Sequence, residues 1–201
     1  MVSTRDNLDM KPDLLRILDL AERLGQLAQS HLKSVAGASG LQPVHVRILL
    51  FVTAANRYSN TPQAVAEYLG LTKGTISQSL ILLERKGLIL REGDARDRRL
   101  VRLRPTAAGE EVARCAREAG AERWKRPAEA LPDGLLDCLT EMLRRLQAQE
   151  GRRSFGLCRT CRHHLSEGPG QWRCALTGEP LTADDGEKIC REHKNREVVG
   201  A

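Results

Sequence analysis

Two long segments of the chain repeat apolar residues at the spacing of an amphipathic helix. Residues 12–36 place leucine, isoleucine, alanine and valine three or four positions apart, which aligns them on one helical face. Residues 133–149 repeat the pattern with Leu135, Leu136, Leu139, Met142, Leu143 and Leu146. Both apolar stripes are wider than one small domain needs. We therefore predict that the two helices cover each other across a two-fold homodimer.

Shorter helices are predicted between these two segments. One follows Pro43 and breaks down around residues 56–60. Thr61-Pro62 then supplies an N-cap and a first helical residue for a short helix that ends at Gly70. Thr72 caps the next helix, which closes at Lys86-Gly87 because glycine is favoured just after a helix C-terminus.

The periodicity changes after residue 87 from helical to strand-like. Two short apolar runs, 88–90 and 100–104, are separated by Gly93-Asp94 and charged residues, which predicts a β-hairpin. We expect Val101 and Leu103 to face the core and the arginines beside them to face outward. A further helix follows at residue 105. This order predicts a mainly α fold with a small β-hairpin wing, a winged helix-turn-helix.

Positive charge is concentrated on the predicted hairpin. The chain has 32 Lys plus Arg against 26 Asp plus Glu, a net charge of +6. Residues 85–104 alone hold eight basic and three acidic side chains. A solvated face explains such a run equally well when it stands alone. Here it follows a helix with a polar first turn, and together the two features favour duplex DNA as the partner.

We identify seven candidate DNA contacts in this segment. Short hydroxyl and amide side chains on a helix can reach phosphates and base edges in the major groove, and arginines on a hairpin can enter the minor groove. The candidates are Lys73, Thr75, Ser77 and Gln78 on the helix and Arg96, Arg98 and Arg99 at the hairpin tip. A winged helix that mediates protein contacts is the alternative.

Residues 71–112 resemble the recognition helix and wing of the MarR family of bacterial transcription regulators. The matching positions are Leu83-Glu84-Arg85-Lys86-Gly87-Leu88-Ile89, Asp97-Arg98-Arg99, Thr106 and Gly109. Pro105 departs from the leucine usual in the family. The resemblance extends more loosely over residues 12–150. It implies an obligate homodimer with interlocked first and last helices on a pseudo-palindromic operator, and it permits a small phenolic or lipophilic effector.

The composition changes beyond Glu150. Residues 151–201 hold seven glycines, two prolines and four of the six cysteines, with too few apolar residues to form a core alone. The spacing is Cys158-x2-Cys161-x12-Cys174-x15-Cys190-x2-His193. Soft thiolate and imidazole ligands favour zinc or iron, whose binding energy would fold the segment. A disulfide switch or an unstructured tail are the metal-free alternatives.

Two metal centres fit this spacing. An iron–sulfur cluster is slightly favoured because it uses all of Cys158, Cys161, Cys174 and Cys190 and would give a regulator a redox or metal sensor. A purely structural zinc ion could instead take His193 with three of the thiols and leave Cys174 over. Some MarR-like proteins carry a similar C-terminal extension. Cys115 and Cys138 lie on predicted helices and are expected to be buried and inert.

The predicted organisation is a regulator of two parts. Residues 1–150 form the DNA-binding and dimerisation domain, with a DNA-binding lobe at about 42–104, and residues 151–201 form the cysteine-rich extension. A metalloenzyme is the alternative of another class, but no His-Glu-x-x-His, Gly-x-Ser-x-Gly or P-loop motif is present. With no apolar run of about 18 residues and no leader-like N-terminus, we expect a cytoplasmic protein with no membrane partner.

Overall fold

The computed structural model describes residues 12–94, 97 and 99–196. The described residues up to Gln149 contain six helices and one hairpin. The helices are α1 (Pro12–Ala38), α2 (Pro43–Ala54), α3 (Pro62–Leu69), α4 (Lys73–Arg85), α5 (Ala107–Ala128) and α6 (Leu135–Gln149). The antiparallel hairpin pairs β1 (Ile89–Gly93) with β2 (Val101–Pro105). This arrangement confirms the predicted mainly α, winged helix-turn-helix fold.

Helix α2 forms the centre of the core, and α3, α4, α5 and the hairpin pack around it. Its side chains Val46, Ile48 and Leu49 are fully buried. The predicted helix boundaries are also observed. The side chain of Thr61 accepts a hydrogen bond from the backbone N–H of Ala64, and Gly70 ends α3 in the left-handed region at φ 65°.

The wing packs on α5 through a close backbone approach. Thr106 caps α5, and a Cβ added at Gly109 would overlap the carbonyl group of Leu88. Only glycine therefore allows the helix and β1 to come this close. Leu103 is fully buried, as predicted. We expected Arg102 to face solvent, but its guanidinium is held at the base of the wing.

The apolar stripes of α1 and α6 are exposed in the single chain. On α1, Leu14, Leu18, Leu24 and Leu27 are each more than two fifths exposed, and α6 contains no buried residue at all. The prediction that Cys115 and Cys138 are buried is wrong, because both lie on exposed faces of α5 and α6.

No single helix among the described residues has the length and hydropathy to cross a membrane. Helices α1 and α2 satisfy the criteria only as a pair, which is bent by 95° at its break.

The cysteine-rich segment forms a small module of short elements. These are β3 (Gly156–Leu157), a 3-10 turn (Cys158–Thr160), β4 (His164–Gly168), β5 (Gln171–Cys174), β6 (Pro180–Leu181), α7 (Ala183–Gly186) and β7 (Ile189–Cys190). β3 pairs with β7, and β4, β5 and β6 form an antiparallel sheet. Phe155 and Ile189 pack against the core of the winged helix. The module therefore gains apolar contacts from the lobe that its own sequence does not supply.

Candidate nucleic-acid interface and cysteine-rich module

The first turns of α4 present polar side chains to solvent. The side chain of Thr72 accepts the backbone N–H of Thr75 at 3.2 Å, which fixes the start of the helix. Lys73, Thr75, Ser77 and Gln78 are all exposed, while Ile76 among them and Leu80 just after them are buried. Lys73 and Ser77 are four positions apart and Thr75 and Gln78 are three apart, so each pair lies along one row of the exposed helix surface. The predicted helix contacts are therefore all available to a partner.

The tip of the wing is a polar turn. Arg96 and Arg98, two of the predicted contacts, lie outside the described residues. Arg99 is exposed, and its backbone N–H donates to the carboxylate of Asp97 at 2.9 Å. The backbone N–H of Asp97 donates in turn to the carboxylate of Asp94 at 3.1 Å. These bonds order the turn and leave the Arg99 side chain facing solvent.

The four cysteines of the module line one small cavity. Its volume is about 20 Å³, and its walls include Cys158, Cys161, Cys174 and Cys190 together with His163 and His164. Burial and the neighbouring thiols of Cys190, Cys174 and Cys161 raise the pKa of Cys158 to about 12. The four sulfurs therefore cannot all carry negative charge at neutral pH unless a cation joins them.

The thiols and imidazoles of the cavity are ligands that suit a soft metal ion. In the described conformation, however, they are not arranged around one. No group of three or more His, Cys, Asp or Glu side chains in residues 12–94, 97 and 99–196 is placed to hold a metal ion as it stands. A single ion would need the thiols to converge, and a cluster would need the cavity to widen. Either centre requires rotation of cysteine side chains.

Histidine 164, not His193, accompanies the thiols. His164 is buried, and neither of its ring nitrogens has a hydrogen-bond partner. The ring of His193 instead lies against Gly156, outside the cavity lining, where a Cβ on the glycine would be 2.7 Å from it. Its Nε2 is 2.9 Å from the hydroxyl of Thr160. His193 therefore does not line the cavity that the four thiols share.

The module contacts the loop between α2 and α3, residues 55–61, which we call the α2–α3 loop. The backbone N–H of Asn56 donates to the carbonyl of Ile189 at 2.9 Å, and the Asn56 side chain hydrogen-bonds Cys190. The backbone N–H of Arg191 donates to the Ser59 hydroxyl at 2.8 Å. Asn56 and Ser59 are both buried. A cavity cysteine is thus bonded directly to the winged-helix lobe.

Charged and aromatic side chains extend this contact. The guanidinium of Arg191 donates to both carboxylate oxygens of Glu67 on α3, at 2.6 and 2.8 Å, which lowers the pKa of Glu67 below its usual range. The ring of Phe155 meets that of Tyr68 edge-on at 5.2 Å. Tyr58 donates to the carboxylate of Glu179 in the module. The interface therefore combines apolar packing with buried and partly buried polar bonds.

The opposite side of the α2–α3 loop holds the wing. Arg102 on β2 donates to the carbonyl oxygen of Tyr58 at 3.0 Å and to the carboxylate of Asp94 at 2.6 Å. The backbone N–H of Leu103 donates to the carbonyl of Asn60 at 2.7 Å. One short loop therefore touches both the cysteine-rich module and the base of the wing.

The sequence analysis missed this loop as a functional element. The polar residues of the loop predict a break between two helices, and the local sequence predicts nothing further about them. Asn56 and Ser59 form hydrogen bonds with residues more than 130 positions away in the chain. Asn60 of the same loop bonds to the wing within the lobe. Hydrogen bonds over such a separation leave no periodicity or motif in the chain.

A family model described as the MarR family matches residues 39–100. The match covers α2, α3, α4, β1 and the wing tip and ends before the cysteine-rich module. No curated protein sequence matches this chain.

Solved structures with a similar fold include several that are described as MarR or MarR-family transcription regulators. CouR from Rhodococcus jostii RHA1, solved with p-coumaroyl-CoA, is 23% identical at a TM-score of 0.56, and the alignment covers 65% of this chain and 90% of CouR. The MepR–DNA complex of S. aureus is 20% identical at 0.53, covering 65% and 95%. MarR from Oenococcus oeni PSU-1 is 16% identical at 0.55, covering 67% and 98%.

Residues 39–100 are therefore similar to the MarR family, and the solved structures share the winged helix-turn-helix fold of the lobe. Proteins of this family are transcription regulators and not enzymes, in agreement with the prediction from the sequence.

Proposed function

We propose that this chain is a homodimeric transcription regulator that binds a pseudo-palindromic DNA operator through α4 and the wing. The observation that carries the proposal is the exposed polar surface of α4, which includes Ser77 and Gln78 and is followed in the chain by a hairpin with the exposed Arg99 at its tip. The positive end of the α4 dipole and Lys73 favour phosphate, and Gln78 can pair with a base edge. The wing would then lie along the neighbouring minor groove.

Binding-site selection with the whole chain tests this docking. We expect Gln78→Ala to lose about 1–3 kcal/mol of discrimination at one base position. Arg99→Ala should weaken binding to all sequences alike and make it less dependent on salt. Arg123→Ala, on the exposed surface of α5, is the matched control and should change neither property. Unchanged affinity and sequence preference in both variants would contradict the proposed interface.

The homodimer is supported by apolar surface that a single chain leaves uncovered. Helix α6 buries none of its residues, although Leu136, Leu139, Leu143 and Leu146 lie on it. Helix α1 exposes a comparable leucine stripe. A two-fold axis allows the same two helices of each copy to cover one another and sets two recognition helices about one helical turn of DNA apart.

We also propose that the module is a sensor whose four thiols hold a metal centre, with an iron–sulfur cluster favoured over structural zinc. The shared cavity of Cys158, Cys161, Cys174 and Cys190 supports this role, because their mutual repulsion requires a cation if they ionise. Nearby, Cys190 hydrogen-bonds the α2–α3 loop. A change of rotamer at Cys190 on metal gain or loss would therefore alter the loop that holds the wing.

Spectroscopy and operator binding together test the sensor. Anaerobically purified chain should contain stoichiometric iron and sulfide with visible charge-transfer absorption, and its operator affinity should differ between metal-loaded and metal-stripped protein. By linkage, operator binding must then shift metal affinity or redox potential by the same free energy. Equal operator affinities would leave a structural site only. Metal retained by a variant lacking all four thiols would exclude the site.

A small-molecule effector with structural zinc is the second candidate function. The specific observation in its favour is the bound p-coumaroyl-CoA of CouR, whose fold this chain shares. Stoichiometric zinc without iron, together with operator release by an aromatic or acyl ligand and not by oxidants, would favour this function over the redox sensor.

A further inference from the structure

We propose that His164 is a ligand of the metal centre, an assignment that rests on the proposed metal site of the module. The inference concerns which side chains hold the metal. It departs from the spacing argument, which used the four cysteines and placed His193 as the alternative.

The first observation is the environment of the His164 ring. The residue is 9% exposed, and both ring nitrogens are buried with no hydrogen-bond partner in the described part of the chain. A neutral imidazole carries one N–H donor and one lone-pair acceptor, and buried polar atoms of this kind are almost always paired. No group among the described residues pairs either nitrogen, so we infer that a bound atom serves as the partner.

The second observation is that the ring lies against the cavity of the four thiols. Its backbone places it there. The N–H of His164 donates to the carbonyl of Cys161 at 3.0 Å, and His164 stands directly opposite Cys174 in the β4–β5 register. Opposite residues of an antiparallel pair project from the same face of the sheet. The fold therefore aligns this ring with two of the thiols.

The other two histidines of the module differ in these respects. His193 is also buried and its Nδ1 has no partner among the described groups, but its Nε2 lies 2.9 Å from the Thr160 hydroxyl and its ring packs on Gly156, outside the cavity lining. His163 is only half-buried and has no orphaned ring nitrogen among the described groups. His164 alone in the described module combines complete burial, two unpartnered nitrogens and a position on the thiol cavity.

Metal ligation would give one ring nitrogen of His164 a partner and would change which side chains make up the ligand set. The lone pair of one neutral ring nitrogen would bind the metal, and the other nitrogen would keep its proton. Histidine replaces cysteine in some iron–sulfur centres and in many zinc sites. Either centre takes four protein ligands at its ordinary coordination. Ligation by His164 therefore replaces the four-thiol set of the proposed function by His164 and three of the thiols, and leaves the fourth thiol unligated.

The test uses the full chain labelled with ¹⁵N-histidine and loaded either with ferrous iron and sulfide or with Zn²⁺. Electron–nuclear spectroscopy of the reduced iron form should detect coupling to a histidine nitrogen, and X-ray absorption of the zinc form should contain imidazole scattering. Both signals should vanish in His164→Ala and persist in His163→Ala and His193→Ala. His164→Cys should retain metal with sulfur ligation only, which separates ligand loss from misfolding.

Each other outcome overturns the assignment. Wild-type chain with stoichiometric metal and no nitrogen ligand would overturn the role of His164 and leave the four-thiolate site intact. Nitrogen ligation abolished by His193→Ala or His163→Ala would transfer the role to that residue. Wild-type chain that binds neither iron nor zinc stoichiometrically would overturn the metal site and, with it, this assignment.

Discussion

The backbone N–H of Arg191 donates a hydrogen bond to the side-chain hydroxyl of Ser59, over 2.8 Å. Ser59 is completely buried in the winged-helix lobe, and Arg191 directly follows Cys190 of the thiol cavity. The cysteine-rich module and the lobe are therefore joined one residue from a candidate metal ligand. A movement of Cys190 would therefore be expected to displace the α2–α3 loop and, with it, the wing.

Replacement of Ser59 should weaken this joint. In Ser59→Ala the Arg191 N–H loses its acceptor, and an unsatisfied buried donor costs about 1–3 kcal/mol. We expect a loss of that order in the free energy of unfolding by chemical denaturation. We also expect a smaller difference in operator affinity between metal-loaded and metal-stripped protein. Ser166→Ala, an exposed serine of the module, is the control. A Ser59 variant with wild-type stability and a wild-type effect of metal on operator affinity would contradict this role of Ser59.

Arg102 and Arg104 should differ sharply although they lie two residues apart on β2. Arg102 is partly buried and bonds both Tyr58 and Asp94, so Arg102→Ala should cost about 1.5–3 kcal/mol of stability and loosen the wing. Arg104 is exposed and pairs only with Glu92 at 2.8 Å among the contacts described. Arg104→Ala should cost at most about 1 kcal/mol. Thermal unfolding measures the loss of stability in each variant, and hydrogen exchange at β1 and β2 measures the loosening of the wing. Equal losses in the two variants would be evidence against the role of Arg102 in holding the wing.

The exposed leucine stripes should hold the dimer together. Leu18→Glu combined with Leu139→Glu places charges in both stripes, so we expect monomeric chain in sedimentation and loss of operator binding. Leu165→Glu is a matched control because that leucine is comparably exposed, at 47%, but lies in the module and outside the lining of the thiol cavity. A dimeric double variant that still binds operator would place the interface elsewhere.

Acid should loosen the module through Glu67. Its hydrogen bonds from Arg191 lower its pKa in the folded chain below the unfolded value of about 4.3. The ionised carboxylate therefore stabilises docking above that value, and the contribution is lost as pH falls through the lower, folded pKa. Limited proteolysis between α6 and β3 should accelerate in that range.

The variant Glu67→Gln isolates this effect. It should be cleaved faster than wild type already at neutral pH and change less with acid. Glu118→Gln, which removes an exposed carboxylate paired with Arg114 on α5, should follow the wild-type profile. A Glu67→Gln profile identical to wild type would assign the acid response to other groups.

The sequence alone determined the winged helix to near its residue boundaries. Caps and stops act locally, so Thr61, Gly70, Thr72 and Gly87 could be interpreted without knowledge of the fold. The exposed residues of α4 followed from helical periodicity in the same way. The grouping of four thiols also followed, since they are soft ligands in a segment too poor in apolar residues to fold alone.

The tertiary structure alone decided which side chains meet across the chain. The sequence placed Arg102 in solvent and Cys115 and Cys138 in the core, and it offered His193 as an alternative metal ligand. In the fold, Arg102 is bonded to Tyr58, both cysteines are exposed and His164 takes the place on the cavity. Periodicity fixes the face of one helix or strand. What covers that face, and which distant backbone group accepts a hydrogen bond, depends on how the elements pack, and no local pattern encodes it.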